Sequence, residues 1–325
     1  MTVVCLPGDG VGPEVMREAR RALEVLAPDV GLVEFPFGAQ AIRDFGDSLP
    51  DETLAACKAA DAVLKAPIGD PEFDAAEVRP EQGMLRLRAE LDVYANLRPA
   101  RSDSVDLLVV RELVGGIYFG ASGVREDGTV FDTCEYRPDQ VERLARRGFE
   151  LATSRRKQVL SVDKANVLET SRLWRRVVND VSAAYGDVEV EHMLVDNAAM
   201  QLASSPERFD VLVTENMFGD ILSDLAAAVT GGLGLAPSAS LSDGGPGIFE
   251  PVHGSAPDIA GRGIANPSAM LRSTALLLEH GLGRAEEARA LEAAIDVALA
   301  EAPTPDLGGR ATTSELGGAV LRALS

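Results

Sequence analysis

Short apolar, β-branched runs alternate along the chain with longer segments in which apolar residues recur at helical spacing. Six runs predict strands: Thr2–Leu6, Ala62–Leu64, Leu107–Val110, Val159–Val162, Val188–Val195 and Phe209–Val213. Helical spacing follows Pro13 and recurs in seven further segments: Asp51–Ala59, Pro138–Thr153, Ser171–Tyr185, Gly219–Ala228, Pro267–His280, Ala285–Ala300 and Thr313–Leu324. Alternation of this kind is typical of an α/β protein.

Two glycine-rich stretches interrupt the alternation. Gly115–Gly120 follows a predicted strand closely and indicates an antiparallel element or arm. Gly231–Gly247 is rich in Gly, Ser and Pro, shows no helical period, and predicts an irregular connection between domains. The length of 325 residues is that of about two domains.

The charge balance excludes some classes of partner. The chain carries 31 Lys and Arg against 51 Asp and Glu, a formal net charge of −20. Nucleic acid and anionic membrane surfaces both require concentrated positive charge, so neither is an expected partner. A small anionic substrate would need local arginines or a bound metal.

The cysteines and the N-terminus predict a cytoplasmic location. Cys5, Cys57 and Cys134 cannot all pair, and no two of them have metal-ligand spacing, which indicates a reducing compartment. The first ten residues lack the basic segment of a signal peptide, and no apolar run is long enough for a transmembrane helix.

The loop Gly8–Pro13 invites comparison with the dinucleotide fingerprint G-x-G-x-x-G. Its third glycine would fall at position 13, which is proline, so the fingerprint fails. The sequence predicts a tight strand-to-helix turn here rather than a standard pyrophosphate cradle.

Charged residues stand where predicted strands end or helices begin. Arg98 and Arg111 lie at the edges of apolar runs, where the planar guanidinium can bind a carboxylate bidentately. Asp220 and Asp224 share one face of the helix expected to open at Gly219. Spacing alone leaves two interpretations of this pair equally open, a site for Mg²⁺ or Mn²⁺ and a first-turn cap.

Three further residues have a functional and an ordinary interpretation. Lys164 follows a predicted strand and can act as a base near a metal, although a surface lysine is the commoner case. Asp196 ends another strand and can be a third carboxylate ligand. Asp258 lies in a loop of small residues, where it either accepts hydrogen bonds from a ribose diol or caps a turn.

Together these segments resemble the β-decarboxylating dehydrogenases, which act on 3-isopropylmalate, isocitrate, homoisocitrate, and tartrate or malate. The similar motifs follow the same order over nearly the whole chain: Gly8–Val15, Ala95–Pro99, Ser161–Glu169, Phe218–Asp224 and Glu250–Pro267. The segments Arg79–Arg88 and Val110–Gly120 are most similar to the branch that acts on 3-isopropylmalate.

The resemblance implies a fold of two α/β domains with a large mixed sheet and no true Rossmann fold. Domain 1 would comprise residues 1–93 and 231–325 and bind the cofactor. Domain 2, residues 94–230, would carry the arm, the catalytic lysine, the metal-binding aspartates and the interface of a homodimer with shared active sites.

The resemblance also implies a role for individual residues. Lys164 of the partner subunit would be the base at the C2 hydroxyl, and Tyr118 would return a proton to C3. The polar part of the substrate, with its two carboxylates, would be bound by Arg88, Arg98, Arg111 and Asp220. Its isopropyl group would lie in a pocket lined by Glu81, Met84, Leu85 and the partner's Val167. The adenosine half of NAD would be bound by His253, Gly254, Ser255, Ala256, Asp258 and Asn266. Mg²⁺ or Mn²⁺ would be bound by Asp220, Asp224 and the partner's Asp196.

The activity implied is NAD-dependent oxidative decarboxylation of (2R,3S)-3-isopropylmalate to 4-methyl-2-oxopentanoate and CO₂ in leucine biosynthesis. The alternatives are the same chemistry on malate, tartrate, homoisocitrate or isocitrate, and a non-catalytic binding subunit. Met84 and Leu85 favour a branched apolar group. The chain departs from the branch's pattern in two places, at Lys65–Pro71, where a glycine-rich loop is usual, and at Glu126–Asp132, which is shorter.

Overall fold

The computed structural model describes every residue from Met1 to Ser325, in two compact units. Unit 1 comprises Met1–Val93 with Leu233–Ser325, and unit 2 comprises Tyr94–Gly232. No helix is both long and apolar enough to cross a membrane.

Strands and helices alternate through both units. Unit 1 opens with β1 (Thr2–Leu6), α1 (Gly12–Leu26), β2 (Gly31–Glu34), α2 (Ala39–Phe45), α3 (Asp51–Ala59), β3 (Ala62–Lys65) and α4 (Pro80–Glu90). Unit 2 contains β4 (Ala95–Arg101), β5 (Asp106–Glu112), β6 (Ser122–Val124), β7 (Val130–Asp132), α5 (Pro138–Thr153), β8 (Gln158–Asp163), α6 (Glu169–Ser182), β9 (Glu189–Leu194), α7 (Val195–Ser204), β10 (Val211–Thr214) and α8 (Asn216–Val229). Unit 1 resumes with β11 (Pro237–Leu241), β12 (Gly247–Pro251), α9 (Ser268–Leu276), a π-helical turn to Gly281, α10 (Ala285–Glu301) and α11 (Thr313–Ala323).

The strands of unit 1 lie in the order β2-β1-β3-β12-β11. All neighbours are parallel except β11, which runs antiparallel to β12. The central strands β1 and β3 are buried along nearly their whole length, which explains why they are continuous apolar runs rather than alternating ones. This sheet positions Lys65 at the end of β3 and Glu250 on the adjacent β12.

The strands of unit 2 lie in the order β4-β5-β10-β8-β9, with β4 antiparallel to β5 and the other pairs parallel. Val211 of β10 pairs with Leu108 of β5 on one side and Val159 of β8 on the other. The carboxyl ends of β5, β10, β8 and β9 therefore share one edge, where ligand sites of α/β sheets form.

Helices α7 and α8 cover one face of this sheet. Leu222 and Ala226 of α8 join Val109 of β5 and Leu202 of α7 in a single buried apolar cluster. Burying a leucine side chain stabilises the fold by about 1.5–3 kcal/mol, so this packing holds α8 firmly against β5.

The α/β fold class and most predicted elements are confirmed. Helices α3 and α5 begin and end where the sequence predicts them. Helix α8 instead begins at Asn216, and the Glu215 side chain caps it by accepting from the Phe218 amide at 2.7 Å. Asp220 thus lies in the second turn, and its interpretation as a first-turn cap is wrong.

Several elements are absent from the sequence prediction. Helix α4 and strand β11 are the clearest cases, and β11 lies within a stretch expected to be irregular. The chain after β9 turns directly into α7, so Asp196 is in the first turn of a helix rather than at a strand end. Gly116–Tyr118 forms a short 3₁₀ turn, and the antiparallel ribbon of β6 and β7 follows it.

Candidate active site

Two arginines and two aspartates of unit 2 form a compact charged cluster. Nη1 of Arg98 lies 3.3 Å from Asp220 and 3.1 Å from Asp224. Nη1 of Arg111 contacts the same Asp220 carboxylate. The two carboxylates are thus held on one helix face by the two guanidinium groups.

The strand register explains why both arginines reach α8. Asn96 pairs with Arg111 and Arg98 pairs with Val109, so these side chains point to the same face of the sheet. Arg111 passes along α8 at Gly219, where an added Cβ would lie 2.6 Å from the Arg111 Cγ. Only glycine at this position lets the guanidinium reach Asp220.

Like charges four residues apart on a helix repel each other, and the arginines offset this repulsion. Burial and the neighbouring Asp220 raise the pKa of Asp224, while Arg98 acts in the opposite direction. Carboxylate oxygens so placed suit Mg²⁺ or Mn²⁺. No group of three or more His, Cys, Asp or Glu side chains that could hold a metal forms within the single chain.

Tyr118 faces this cluster from the 3₁₀ turn. Its hydroxyl donates to Oδ2 of Asp220 at 3.2 Å, and the Arg111 guanidinium lies 5.8 Å from its ring centroid. Burial and the Asp220 charge raise the pKa of Tyr118, so the phenol keeps its proton at neutral pH. The side chain remains 41% exposed and can therefore reach a bound molecule.

Lys164 and Asp196 pair with each other instead of joining this cluster. Lys164 follows β8, and its Nζ contacts the Asp196 carboxylate in the first turn of α7. The Lys164 hydrogen bond lowers the pKa of Asp196. Two predicted site residues from different elements are thus adjacent, and both are accessible to solvent.

Arg88 of unit 1 belongs to a second charged group. Its Nη2 donates to Glu250 at 3.2 Å, and the other Glu250 oxygen pairs with Nζ of Lys65 at 2.7 Å. Burial alone would raise the pKa of Glu250, but Lys65 and Arg88 hold it down at about 2. Glu250 therefore stays ionised through the neutral pH range.

Arg88 has unused donors. Its guanidinium makes one hydrogen bond, and its buried Nε has no partner. A buried donor without a partner costs about 1–3 kcal/mol, which an incoming carboxylate would remove. On the same helix, Met84 is buried, Leu85 is half-buried and Glu81 is exposed.

The predicted cofactor loop follows β12. Its backbone approaches the first glycine loop closely, since the Val11 amide donates to the Ser255 carbonyl at 2.8 Å. Nδ1 of His253 lies 2.9 Å from the Gly254 carbonyl, and its buried Nε2 has no partner. Burial lowers the pKa of His253, which keeps the ring neutral.

Other residues of this loop differ in their availability. Asp258 and Gly254 are exposed, and Ala256 adopts a left-handed φ of 42°. Asn266 already uses both ends of its amide, donating to Asp306 at 3.0 Å and accepting from the Ser268 amide at 2.9 Å. In unit 2, Val167 is exposed close to Lys164.

Sequence reasoning missed two residues that organise these groups. Asn216 accepts from Arg111 at 2.7 Å and donates to the Gly115 carbonyl at 2.9 Å. Lys65 shares Glu250 with Arg88. The available signal was a polar residue next to a strand end in each case, at the ends of β10 and β3.

Comparison with known proteins gives consistent findings. Residues 2–320 match the isocitrate/isopropylmalate dehydrogenase family. The chain is 50% identical to 3-isopropylmalate dehydrogenase of Zymomonas mobilis over the whole of both chains. It is 48% identical to the Bacillus cereus enzyme of that name, over 99% of this chain and 96% of the relative. Isocitrate dehydrogenase of Methylococcus capsulatus superposes with a TM-score of 0.93 at 36% identity, covering 99% of both chains.

Proposed function

The chain belongs to the isocitrate/isopropylmalate dehydrogenase family, and we propose that it converts (2R,3S)-3-isopropylmalate to 4-methyl-2-oxopentanoate and CO₂ with NAD as oxidant. This reaction is a step of leucine biosynthesis. The observation that carries the proposal is the cluster of Arg98, Arg111, Asp220, Asp224 and Tyr118. It combines carboxylate recognition, oxygen ligands and a protonated phenol.

Local arginines allow a chain of net charge −20 to bind a substrate that carries two negative charges. Arg88, Arg98 and Arg111 are assigned to the substrate carboxylates. The unpartnered Nε of Arg88 supports its assignment, because a carboxylate accepts two parallel N–H groups of one guanidinium. The attraction is local and does not require a positive surface.

Asp220 and Asp224 are the proposed ligands of Mg²⁺ or Mn²⁺, together with Asp196 of a second copy. The fit rests on the oxygen-only donor set and on the i,i+4 spacing, which presents both carboxylates on one face. A divalent cation held by these carboxylates would supply Lewis-acid polarisation of the substrate's C2 oxygen and charge stabilisation during the loss of CO₂.

Two side chains are assigned to proton transfer. Lys164 would remove the proton from the C2 hydroxyl, and NAD held by the loop after β12 would supply the hydride acceptor. Tyr118 delivers a proton to C3 after the carboxylate at that carbon has left as CO₂. Both side chains are partly exposed to solvent, so the Lys164 amine and the Tyr118 phenol can reach a bound substrate.

A homodimer with shared sites follows from these assignments. Lys164 and Asp196 pair with each other and make no ion pair with Asp220 or Asp224 of the same chain. We assign them to the site of the partner subunit. Exposed apolar side chains at Met200 of α7 and Ile221 of α8 offer surface that association would bury.

The fit to NAD rests on the loop after β12. The buried Nε2 of His253 has no hydrogen-bond partner within the chain, and the exposed Asp258 can accept from a ribose diol. The three free cysteines, two of them buried, agree with the proposed cytoplasmic location.

NAD is expected to be the preferred cofactor over NADP. Asp258 would face the extra phosphate of NADP, and juxtaposed like charges cost several kcal/mol, so kcat/KM should favour NAD by about a hundredfold or more. Steady-state rates with each cofactor measure the ratio. Asp258→Asn should lower this preference, and a wild-type preference for NADP would refute the assignment of Asp258.

Substrate preference tests the proposed function itself. With NAD and Mg²⁺, 3-isopropylmalate should have a higher kcat/KM than malate or isocitrate, because Met84 and Leu85 offer an apolar contact to the isopropyl group. Each apolar carbon contributes about 1–3 kcal/mol, so Leu85→Ala should reduce the preference over malate about tenfold or more. The exposed Val297→Ala on α10 is the control. A wild-type preference for isocitrate would assign the chain to the isocitrate-specific branch of its family.

A further inference from the structure

Tyr136 lies behind the cluster rather than in it. Its ring packs edge-on against the buried Trp174, at a centroid distance of 5.9 Å. Its hydroxyl lies 3.3 Å from Glu112 and 3.4 Å from Glu215, two buried residues, of which Glu112 ends β5 and Glu215 follows β10. The hydroxyl also accepts from the Asn216 backbone amide at 3.0 Å, so it contacts the first residue of α8.

The Tyr136 ring also sets the path of the turn that carries Tyr118. A Cβ added to Gly115 would lie 2.8 Å from a carbon of the ring, and a Cβ added to Gly116 would lie closer still to the Tyr136 hydroxyl oxygen. Gly116 has a left-handed φ of 75°, which other residues rarely adopt. The turn Gly115–Tyr118 therefore packs against Tyr136 so closely that side chains at Gly115 and Gly116 would not fit.

The Asn216 side chain connects the glycine turn that carries Tyr118 to Arg111. Its Oδ1 accepts from Nε and Nη2 of Arg111 at 3.1 and 2.7 Å, and its Nδ2 donates to the Gly115 carbonyl at 2.9 Å. The amide orientation follows from its partners, because Arg111 offers only donors and the carbonyl only an acceptor. One fully buried side chain thus joins Arg111 to the turn of Tyr118.

We propose that Tyr136 and Asn216 are a pair of positioning residues, which hold Arg111 and Tyr118 in the relative arrangement that the reaction requires. This inference rests on the proposed roles of Arg111 and Tyr118. Neither Tyr136 nor Asn216 contacts the substrate. Tyr136 acts on Tyr118 through the glycine turn and on Arg111 through Asn216.

The geometry predicts separable kinetic effects. Tyr136→Phe keeps the ring but leaves the Asn216 amide and two carboxyl groups without the hydroxyl. A displacement of about 1 Å costs up to a hundredfold in rate, so a tenfold or greater fall in kcat is expected. Asn216→Ala removes two hydrogen bonds from Arg111 and should also raise KM about tenfold or more.

A double-mutant cycle tests whether Tyr136 acts through Tyr118. Tyr136→Phe is measured in the wild type and in Tyr118→Phe, with Tyr185→Phe as the matched control. Tyr185 stacks on Phe149 in the same unit, outside the network. We expect Tyr136→Phe to lower kcat in the wild type through Tyr118 and to change kcat less than about twofold in Tyr118→Phe, whereas any rise in KM, which reports Arg111, persists in both backgrounds.

Two results would overturn the proposal. In the first, the fall in kcat of the double variant equals the product of the falls in the two single variants. In the second, Tyr136→Phe has the same kcat and KM as Tyr185→Phe. Circular dichroism checks the fold of each variant, and if Tyr136→Phe does not fold, Asn216→Ala replaces it in the same cycle with the same criteria. Wild-type turnover of 3-isopropylmalate is measured first, so that its absence counts against the proposed function and not against the positioning pair.

Discussion

Two inactive variants, Lys164→Ala and Asp220→Ala, are expected to regain activity when their subunits are mixed. Loss of a general base costs about a hundredfold to ten-thousandfold, and loss of a metal ligand a similar factor, so each homodimer should be nearly inactive. In a heterodimer, the site on the Lys164→Ala chain keeps its own Asp220 and receives an intact Lys164 from its partner. The other site lacks both groups.

Random mixing makes about half of the dimers heterodimers, each with one working site, so about a quarter of the wild-type rate should return. The pairing of Lys164 with Asp196 supplies a matched control. Both residues would come from the same subunit, so Lys164→Ala mixed with Asp196→Ala should recover nothing. Recovery in the control, or none with Asp220→Ala in heterodimers verified by mass spectrometry, would show that the interface assignment is wrong.

Removal of divalent metal is expected to abolish turnover. Asp220 and Asp224 are the proposed ligands, and stabilisation of charge at the C2 oxygen by the metal would account for several kcal/mol of the barrier, a factor of about a thousand or more. Rates are measured after dialysis against chelator and again after Mg²⁺ or Mn²⁺ is added back. The added metal should restore the rate.

A substitution connects this metal requirement to the cluster. Asp224→Asn should raise the Mg²⁺ concentration for half-maximal rate about tenfold or more, because an amide is a weaker ligand than a carboxylate. Asp187→Asn is the control, since Asp187 is exposed and pairs only with Lys157. Full activity in chelator, or equal metal dependence of the two variants, contradicts the metal assignment.

Sequence reasoning succeeded where one helix face carries the packing. In α5, proline stands at the first helical position and Val141, Leu144, Ala145 and Phe149 form a buried stripe. The buried face of helix α4 holds only two large apolar side chains, Met84 and Leu87, beside Pro80 and Gly83, and two arginines flank Leu87. Its helical state depends on the rest of unit 1, which a local pattern does not contain.

Strand β11 shows the same limit for sheets. Its sequence Pro237–Leu241 contains proline and two serines, and residues of this kind favour turns over strands. The segment is extended because it pairs with β12, from Pro237 opposite Pro251 to Ser240 opposite Ile248. Pairing between distant segments overrides local preference in such cases.

The site residues were named from local motifs, whereas their contacts are long-range. Arg98 and Asp224 are 126 residues apart in sequence, and Asn216 is 101 residues from Gly115. No spacing rule connects such positions. The network of Tyr136 and Asn216 therefore becomes visible only once the strand ends of unit 2 are brought to one edge.

The most direct test of the central claim is to measure how much NADH and CO₂ form for each molecule of substrate consumed. Purified enzyme is incubated with (2R,3S)-3-isopropylmalate, NAD and Mg²⁺, and NADH and released CO₂ are both measured against substrate consumed. The proposed function predicts one NADH and one CO₂ for each substrate molecule, as the oxidation and the loss of the C3 carboxylate occur in one turnover. NADH without CO₂ would contradict oxidative decarboxylation, and the absence of both would contradict the substrate.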